Sequence, residues 1–331
     1  MRHALATALV FPLLLAGCVG RGPVVDDPQL TRFREPVELA ETPFFPQDDY
    51  QCGPAALATV LTQAGIAVSP QQLVSRVWLP ARGGSLQAEL VAAARSYDLV
   101  PYPVAPEPAA LLRELVAGRP VLVLQNLGFR IYPVWHYAVV IGYLPQRGVF
   151  VLRSGTDRRL EMPSAEFLRS WRLADQWGLV LLRPGELPAA DDPAGYLMAV
   201  AGLEAVGRVA PARVAYAAAT ERWPRQAHAW LGLGNASYAA GDLAAAEAAY
   251  RTARVLAPDD PIVLNNLAET LAARGCNAAA RALIDTALRL PGLTVQLHTL
   301  LQQTAAELRA GTAAGGGDAA TCAEPARPTS R

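Results

Sequence analysis

The chemistry available to this chain starts at Cys52. It stands in the run Gln51-Cys52-Gly53-Pro54-Ala55-Ala56-Leu57, where an extended segment turns into a helix. From Gly53 onward Ala56, Leu57, Val60, Leu61 and Ala64 recur at i, i+3, i+4, and Gly65 supplies a C-terminal stop. A thiol at such a helix start faces unpaired backbone N–H groups and the positive end of the helix dipole. Both favour thiolate, so its expected pKa falls from about 8.5 into the range of roughly 3.5–7.5. A base is the second requirement. Of four histidines, His3 lies in a leading segment and His228 and His298 in a helical C-terminal region, which leaves His136. It opens the apolar, β-prone run His136-Tyr137-Ala138-Val139-Val140-Ile141-Gly142-Tyr143 and so marks the start of a buried strand. The chain has no lysine, which excludes an amine base or a Schiff base. A cysteine at a helix start and a histidine at a strand start, far apart in sequence, form the arrangement that thiol hydrolases use.

These residues resemble the bacteriocin-processing, double-glycine-leader branch of the papain-like cysteine peptidases. The resemblance is carried by Gln47, by Cys52-Gly53-Pro54-Ala55-Ala56-Leu57, and by His136-Tyr137 with the Val-Val-Ile-Gly strand, and it covers about residues 42–183. It implies an α+β papain-like fold, with a helical side carrying the nucleophile packed on an antiparallel sheet carrying the histidine. It also implies roles: Cys52 as nucleophile, His136 as general base, Gln47 as a side-chain donor to the oxyanion. One position departs from the pattern. The family places Asp-Pro on the strand after the histidine strand, where the Asp orients the imidazole. Here that strand runs from Gly148 to Asp157, and the expected slot falls on Arg153 or Ser154. Ser154, Asp157 in the following turn, and Asn126 at the end of the strand near 121–126 are the candidate orienters. Closer still, the chain resembles bacterial lipoproteins that join this domain to tetratricopeptide repeats.

The elements that must position these groups are legible in outline. Ser85 is expected to cap a helix through Tyr97, and Pro106 to begin another ending near Gly118. Strands are expected at about 120–126, 136–144, 148–153 and 178–183, with Glu166 to Trp171 helical between the last two. Phe129, Tyr132 and Trp135 cluster in the loop before His136 and read as an apolar wall of a cleft or as loop packing. Gly83-Gly84 reads as a turn.

The first seventeen residues read as a signal peptide. Arg2 gives a positive start, Ala4 to Leu15 form an apolar core too short to span a bilayer, and Leu15-Ala16-Gly17-Cys18 has the form of a lipobox. Cys18 is therefore the expected lipidation site, with 18–41 as a flexible tether rich in Pro, Asp and Arg. Val19 follows where inner-membrane lipoproteins commonly carry Asp, which by resemblance to that sorting rule favours the outer membrane facing the periplasm. In that compartment Cys276 and Cys322 are candidates for a disulfide. No spacing suggests a metal site, and no cofactor is implied. The 29 basic and 29 acidic residues balance, which gives no electrostatic reason to expect nucleic acid.

Residues 184–192 are a linker by composition. Beyond them the chain repeats with period 34: Gly207, Gly241 and Gly275, then Ala212, Ala246 and Ala280, then Tyr216, Tyr250 and Ile284. This resembles the tetratricopeptide repeat, an all-α solenoid of antiparallel helix pairs. Three repeats and a capping helix are expected over 193–309, with a disordered tail over 310–331. The function that follows is a membrane-anchored periplasmic cysteine peptidase acting on a peptide or protein substrate, with a repeat groove for a protein partner. A catalytically inactive peptidase-fold scaffold and a thiol acyltransferase are the alternatives.

Overall fold

The computed structural model of the protein describes residues 28–47 and 51–310. The signal peptide, Cys18, Cys322 and the tail expected from 310 lie outside the described residues, apart from Ala310 itself. The N-terminal unit is α+β. Helices α1 (Cys52–Gln63), α2 (Pro70–Val77) and α3 (Gln87–Ser96) cover one face of an antiparallel sheet, and α4 (Pro108–Val116) and α5 (Ser164–Arg172) cover the other. Its strands are β1 (Val37–Glu38), β2 (Val100–Pro103), β3 (Val121–Asn126), β4 (Trp135–Leu144), β5 (Val149–Ser154), β6 (Asp157–Pro163) and β7 (Gly178–Leu182). Their order is β2-β7-β3-β4-β5-β6, with β1 on the far end of β4.

Period-two alternation explains the sheet. Leu122, Leu124, Tyr137, Val139, Ile141, Leu179 and Leu181 face α1–α3, whereas Val121, Val123, Ala138, Val140, Phe150, Leu152 and Val180 face α4 and α5. Both faces are buried, so these strands read in sequence as unbroken apolar runs rather than as alternation. His136 stands at the start of β4 and Ser154 at the end of β5. With Val139 opposite Arg153, those two polar residues become diagonal neighbours at one end of the sheet.

Three expectations need correction. The helix expected from Ser85 starts at Gln87 with Leu86 at its N-cap. The Ser85 hydroxyl is instead buried without a hydrogen-bond partner, against the spot where Gly53 would carry a Cβ. Residues 28–41, read as part of a tether, fold onto the domain: Leu30 is buried and Val37–Glu38 pair with Tyr143 and Gly142. A two-residue strand has no period to read, and the surrounding Pro, Asp and Arg dominate the composition. Residues 184–192 are likewise held fast. The Ala189 N–H donates to the buried Glu114 carboxylate (2.8 Å), and Tyr102 Oη donates to Asp192 (2.9 Å), whose other oxygen caps α6 through Gly195. The Gly83 backbone has positive φ beside a Leu79–Gly84 bridge, so Gly83-Gly84 is a turn.

The C-terminal unit is a series of helices: α6 (Pro193–Glu204), α7 (Val209–Arg222), α8 (Ala227–Ala239), α9 (Leu243–Leu256), α10 (Pro261–Ala273), α11 (Asn277–Leu288) and α12 (Val295–Ala310). Gly207, Gly241 and Gly275 close alternate helices with positive φ, which is why the period of 34 is visible at glycines. Helix α8 is clamped between neighbours. The Tyr216 ring lies where a Cβ on Gly232 would be, and the Tyr250 ring does the same at Gly234, so the helices approach over bare backbone. Tyr196, Val200 and Leu203 of α6 join the core beneath β2, and Arg208 pairs with Asp98 (3.3 Å) while donating to the Ser96 carbonyl (3.0 Å). The repeat unit is thus docked on the sheet rather than strung from it. Cys276 is buried at the N-cap of α11.

Candidate active site

Cys52 opens α1, as the apolar spacing requires, and is half-buried. The backbone amides of Tyr137, Gly53 and Cys52 itself lie near enough to the sulfur to favour its thiolate. The Cys52 and Gly53 amides are among the first N–H groups of a helix, which have no intrahelical acceptor. The Tyr137 amide comes from the start of β4, next to His136. Gly53 admits this approach, because a side chain there would collide with Ser85. Tyr137 secures the junction, its hydroxyl donating to the Ser85 carbonyl (3.3 Å) and its ring meeting Trp177 edge-on.

His136 lies with Nε2 2.9 Å from Ser154 Oγ. Of the three candidate orienters left open by the sequence, Ser154 is the one that meets the imidazole. Asn126 is committed elsewhere: its Oδ1 accepts from Gly128 N (3.0 Å) and Val134 N (2.9 Å), and its Nδ2 donates to the Phe129 carbonyl (3.3 Å). Asp157 is exposed across the β5–β6 turn, opposite Ser154. Arg153, at the neighbouring slot, points to the other face of β5 and donates to the carbonyls of Ala40, Thr42 and Arg158. Gln47 is half-buried, and its backbone N–H donates to the Gly155 carbonyl (3.1 Å), which brings this segment across the turn that follows Ser154. Among the described residues no hydrogen bond joins the Cys52 sulfur to the His136 ring; the structure brings the sulfur to the adjoining amide of Tyr137.

The electrostatics correct a further expectation. Burial pushes the Cys52 thiol up, and the amides of Tyr137, Gly53 and Cys52 only partly offset it. Burial also pulls the His136 imidazole below its ordinary value. A helix start favours thiolate when it is wet; here the packing that brings α1 onto the sheet also removes water. The resting pair is thus neutral thiol and neutral imidazole. Its titration has a definite sign. Alkylation of Cys52 by iodoacetamide at pH 7 is expected to be slower than that of a free thiol, rising with pH through a midpoint above about 8.5. A midpoint below 7, read by mass spectrometry of the Cys52 peptide, would show a preformed thiolate instead.

Sequence reasoning missed Tyr137 as a contributor to the site. Its signal was available only as a neighbour of His136, because the contribution is a backbone N–H and carries no residue-type signature.

Comparison with known proteins places these geometries. Residues 39–177 match the Peptidase_C39 like family, and residues 198–261 and 238–293 match the tetratricopeptide repeat. Among solved structures, a C39-like peptidase from Bacillus anthracis is similar at 18% identity and a TM-score of 0.39, covering 45% of this chain and 98% of its own. The type III secretion chaperone SycD of Yersinia enterocolitica, in complex with a peptide of the translocator YopD, is similar at 20% identity and a TM-score of 0.35, covering 38% of this chain and 95% of its own. No curated protein matches the chain significantly.

Proposed function

From a chain that joins a C39-like peptidase domain to tetratricopeptide repeats, we propose a cysteine peptidase tethered to the bacterial envelope through Cys18, with the repeat unit holding a protein partner or substrate. One observation carries this reading: His136 Nε2 lies 2.9 Å from Ser154 Oγ at the start of β4, next to Tyr137, whose amide favours the Cys52 thiolate. With Nε2–H donated to Ser154, the Nδ1 lone pair is the free base. As substrate enters, Nδ1 takes the thiol proton and the sulfur attacks the peptide carbonyl carbon. The amides around the sulfur, with the Gln47 side chain implied by the family resemblance, hold the oxyanion. The imidazolium then gives its proton to the departing amine, the C–N bond breaks, and a thioester remains. Water, deprotonated by His136, attacks the thioester; the C–S bond breaks and the thiol is restored. Burial lowers the imidazole pKa, so this base stays unprotonated to a lower pH than an ordinary histidine does. The acid limb of kcat/KM is therefore expected at a pH lower than an ordinary histidine gives.

Ser154→Ala tests the orienter. It is expected to lower kcat about 10- to 100-fold with KM little changed, because the ring loses its tautomer and direction but the cleft keeps its shape. A proportional rise in KM would mark Ser154 as structural instead. The reading as a whole is tested by incubating the chain from Val19 onward with a mixed-sequence peptide library and mapping new termini by mass spectrometry. Termini that vanish in His136→Ala support it. Identical products from both proteins would remove it. The missing sulfur–imidazole hydrogen bond favours a second reading, an inactive peptidase-fold scaffold, and a library left uncut would support that one. Products formed only with an added amine would indicate acyl transfer.

A further inference from the structure

The hairpin between β3 and β4 presents a contiguous apolar ridge to solvent. Phe129 is 71% exposed, Ile131 79%, Tyr132 75%, Val134 57% and Trp135 54%. Single exposed apolar residues are ordinary, but a cluster of this size marks an interaction surface. The ridge is also built to stay in place. Asn126 binds the amides of Gly128 and Val134 and the carbonyl of Phe129; Leu127 N–H donates to Val134 O (2.9 Å), and Phe129 N–H to Tyr132 O (3.1 Å). Arg169 of α5 donates to the Gly128 carbonyl (3.2 Å), and a side chain on Gly128 would strike Tyr132. Hydrogen bonds within the hairpin and from α5 hold a loop whose large side chains are exposed.

We propose that this hairpin inserts into the interfacial zone of a phospholipid bilayer. Three observations choose lipid over a peptide. The side chains stand out from a ridge, whereas peptide anchors need a concavity to enclose them. Tyr132 and Trp135 are the residue types that partition to the headgroup level, flanking the more apolar Phe129 and Ile131. Between Leu127 and Trp135 the one charged residue is Arg130, with no carboxylate, which suits anionic headgroups. The lipobox supplies proximity: from Cys18 to Leu30 the chain spans at most about 40 Å. One anchoring signal is marginal and two are stable, so the ridge and an acyl chain reinforce each other. Because Trp135 precedes His136, insertion would turn the mouth of the site toward the membrane surface.

The proposal goes beyond the peptidase reading and does not depend on it. Its test uses the chain from Val19 onward, which keeps every described residue and lacks the lipidation site. Cosedimentation with vesicles of phosphatidylethanolamine and phosphatidylglycerol is expected to bind the protein and to persist at about 0.5 M salt, where surface electrostatics are screened. The triple variant Phe129→Ser, Ile131→Ser, Tyr132→Ser is expected to lower the partition constant roughly 100-fold or more, with unchanged melting. A wild type that stays in the supernatant would overturn the proposal, as would a variant that binds equally well. If the wild type ignores vesicles while the variant raises KM for cleaved library peptides, the ridge is a peptide wall and the bilayer assignment fails.

Discussion

Replacing Cys52 by alanine is expected to abolish peptide cleavage, a fall of about 10⁴-fold or more, while costing about 1 kcal/mol of stability or less. The asymmetry follows from where the residue sits. Its side chain is small and half-buried at a helix start, so alanine fills nearly the same space. In the proposed mechanism Cys52 alone forms the acyl intermediate. Cys52→Ser is expected to be equally inactive, and that is the more informative variant. Burial already drives the thiol toward its neutral form, and an alcohol is far harder to deprotonate. A carboxylate beside the imidazole would strengthen the base, but the group 2.9 Å from Nε2 is the neutral hydroxyl of Ser154. Library cleavage by the two variants, beside their melting curves, checks both claims. Retention of more than about 1% activity by the serine variant would mean that His136 is a stronger base than its surroundings indicate.

The second large effect concerns Arg153, the neighbour of Ser154 on β5. It is 3% exposed, and its guanidinium donates to Thr42 O from Nε (3.1 Å) and Nη2 (2.7 Å), to Ala40 O (2.6 Å) and to the Arg158 carbonyl. Burial pulls its pKa below the usual arginine value. These bonds bind residues 40–42, the segment that continues to Gln47, onto β5. Arg153→Met would leave the Ala40 and Thr42 carbonyls without their donor inside the fold. A loss of about 3 kcal/mol is expected, since each hydrogen bond to a charged group contributes roughly 1.5–3 kcal/mol and the bonds are not additive. For a chain of 331 residues melting as one unit that is a fall in Tm of about 4 °C. Amide exchange at Leu39 and Thr42, whose N–H groups donate to Ile141 O and Leu39 O, should accelerate before that of the sheet core. An unchanged melting temperature would mean that β1 pairing alone holds the segment.

The sequence by itself determined the parts whose physics is local. The i, i+3, i+4 apolar spacing after Cys52 sets the helix that carries it, and the run after His136 can only be a buried strand. Period-34 glycines mark the repeat turns because a left-handed turn needs glycine wherever it recurs. Those patterns also brought Cys52 and His136 into one hypothesis. What the tertiary structure decided is everything that depends on register, burial and backbone groups. Ser154 meets His136, and Asn126 and Asp157 do not, because Val139 stands opposite Arg153. A one-residue slip would have reversed that choice. The Cys52 thiol is pushed up rather than down because the helix dipole is a local property, whereas the loss of water around the sulfur comes from packing against β4. Arg153, read as an absent carboxylate, turned out to be the clasp of a segment more than a hundred residues earlier. The Tyr137 amide and the two-residue strand β1 left no trace in the sequence, because a backbone hydrogen bond can be made by almost any residue.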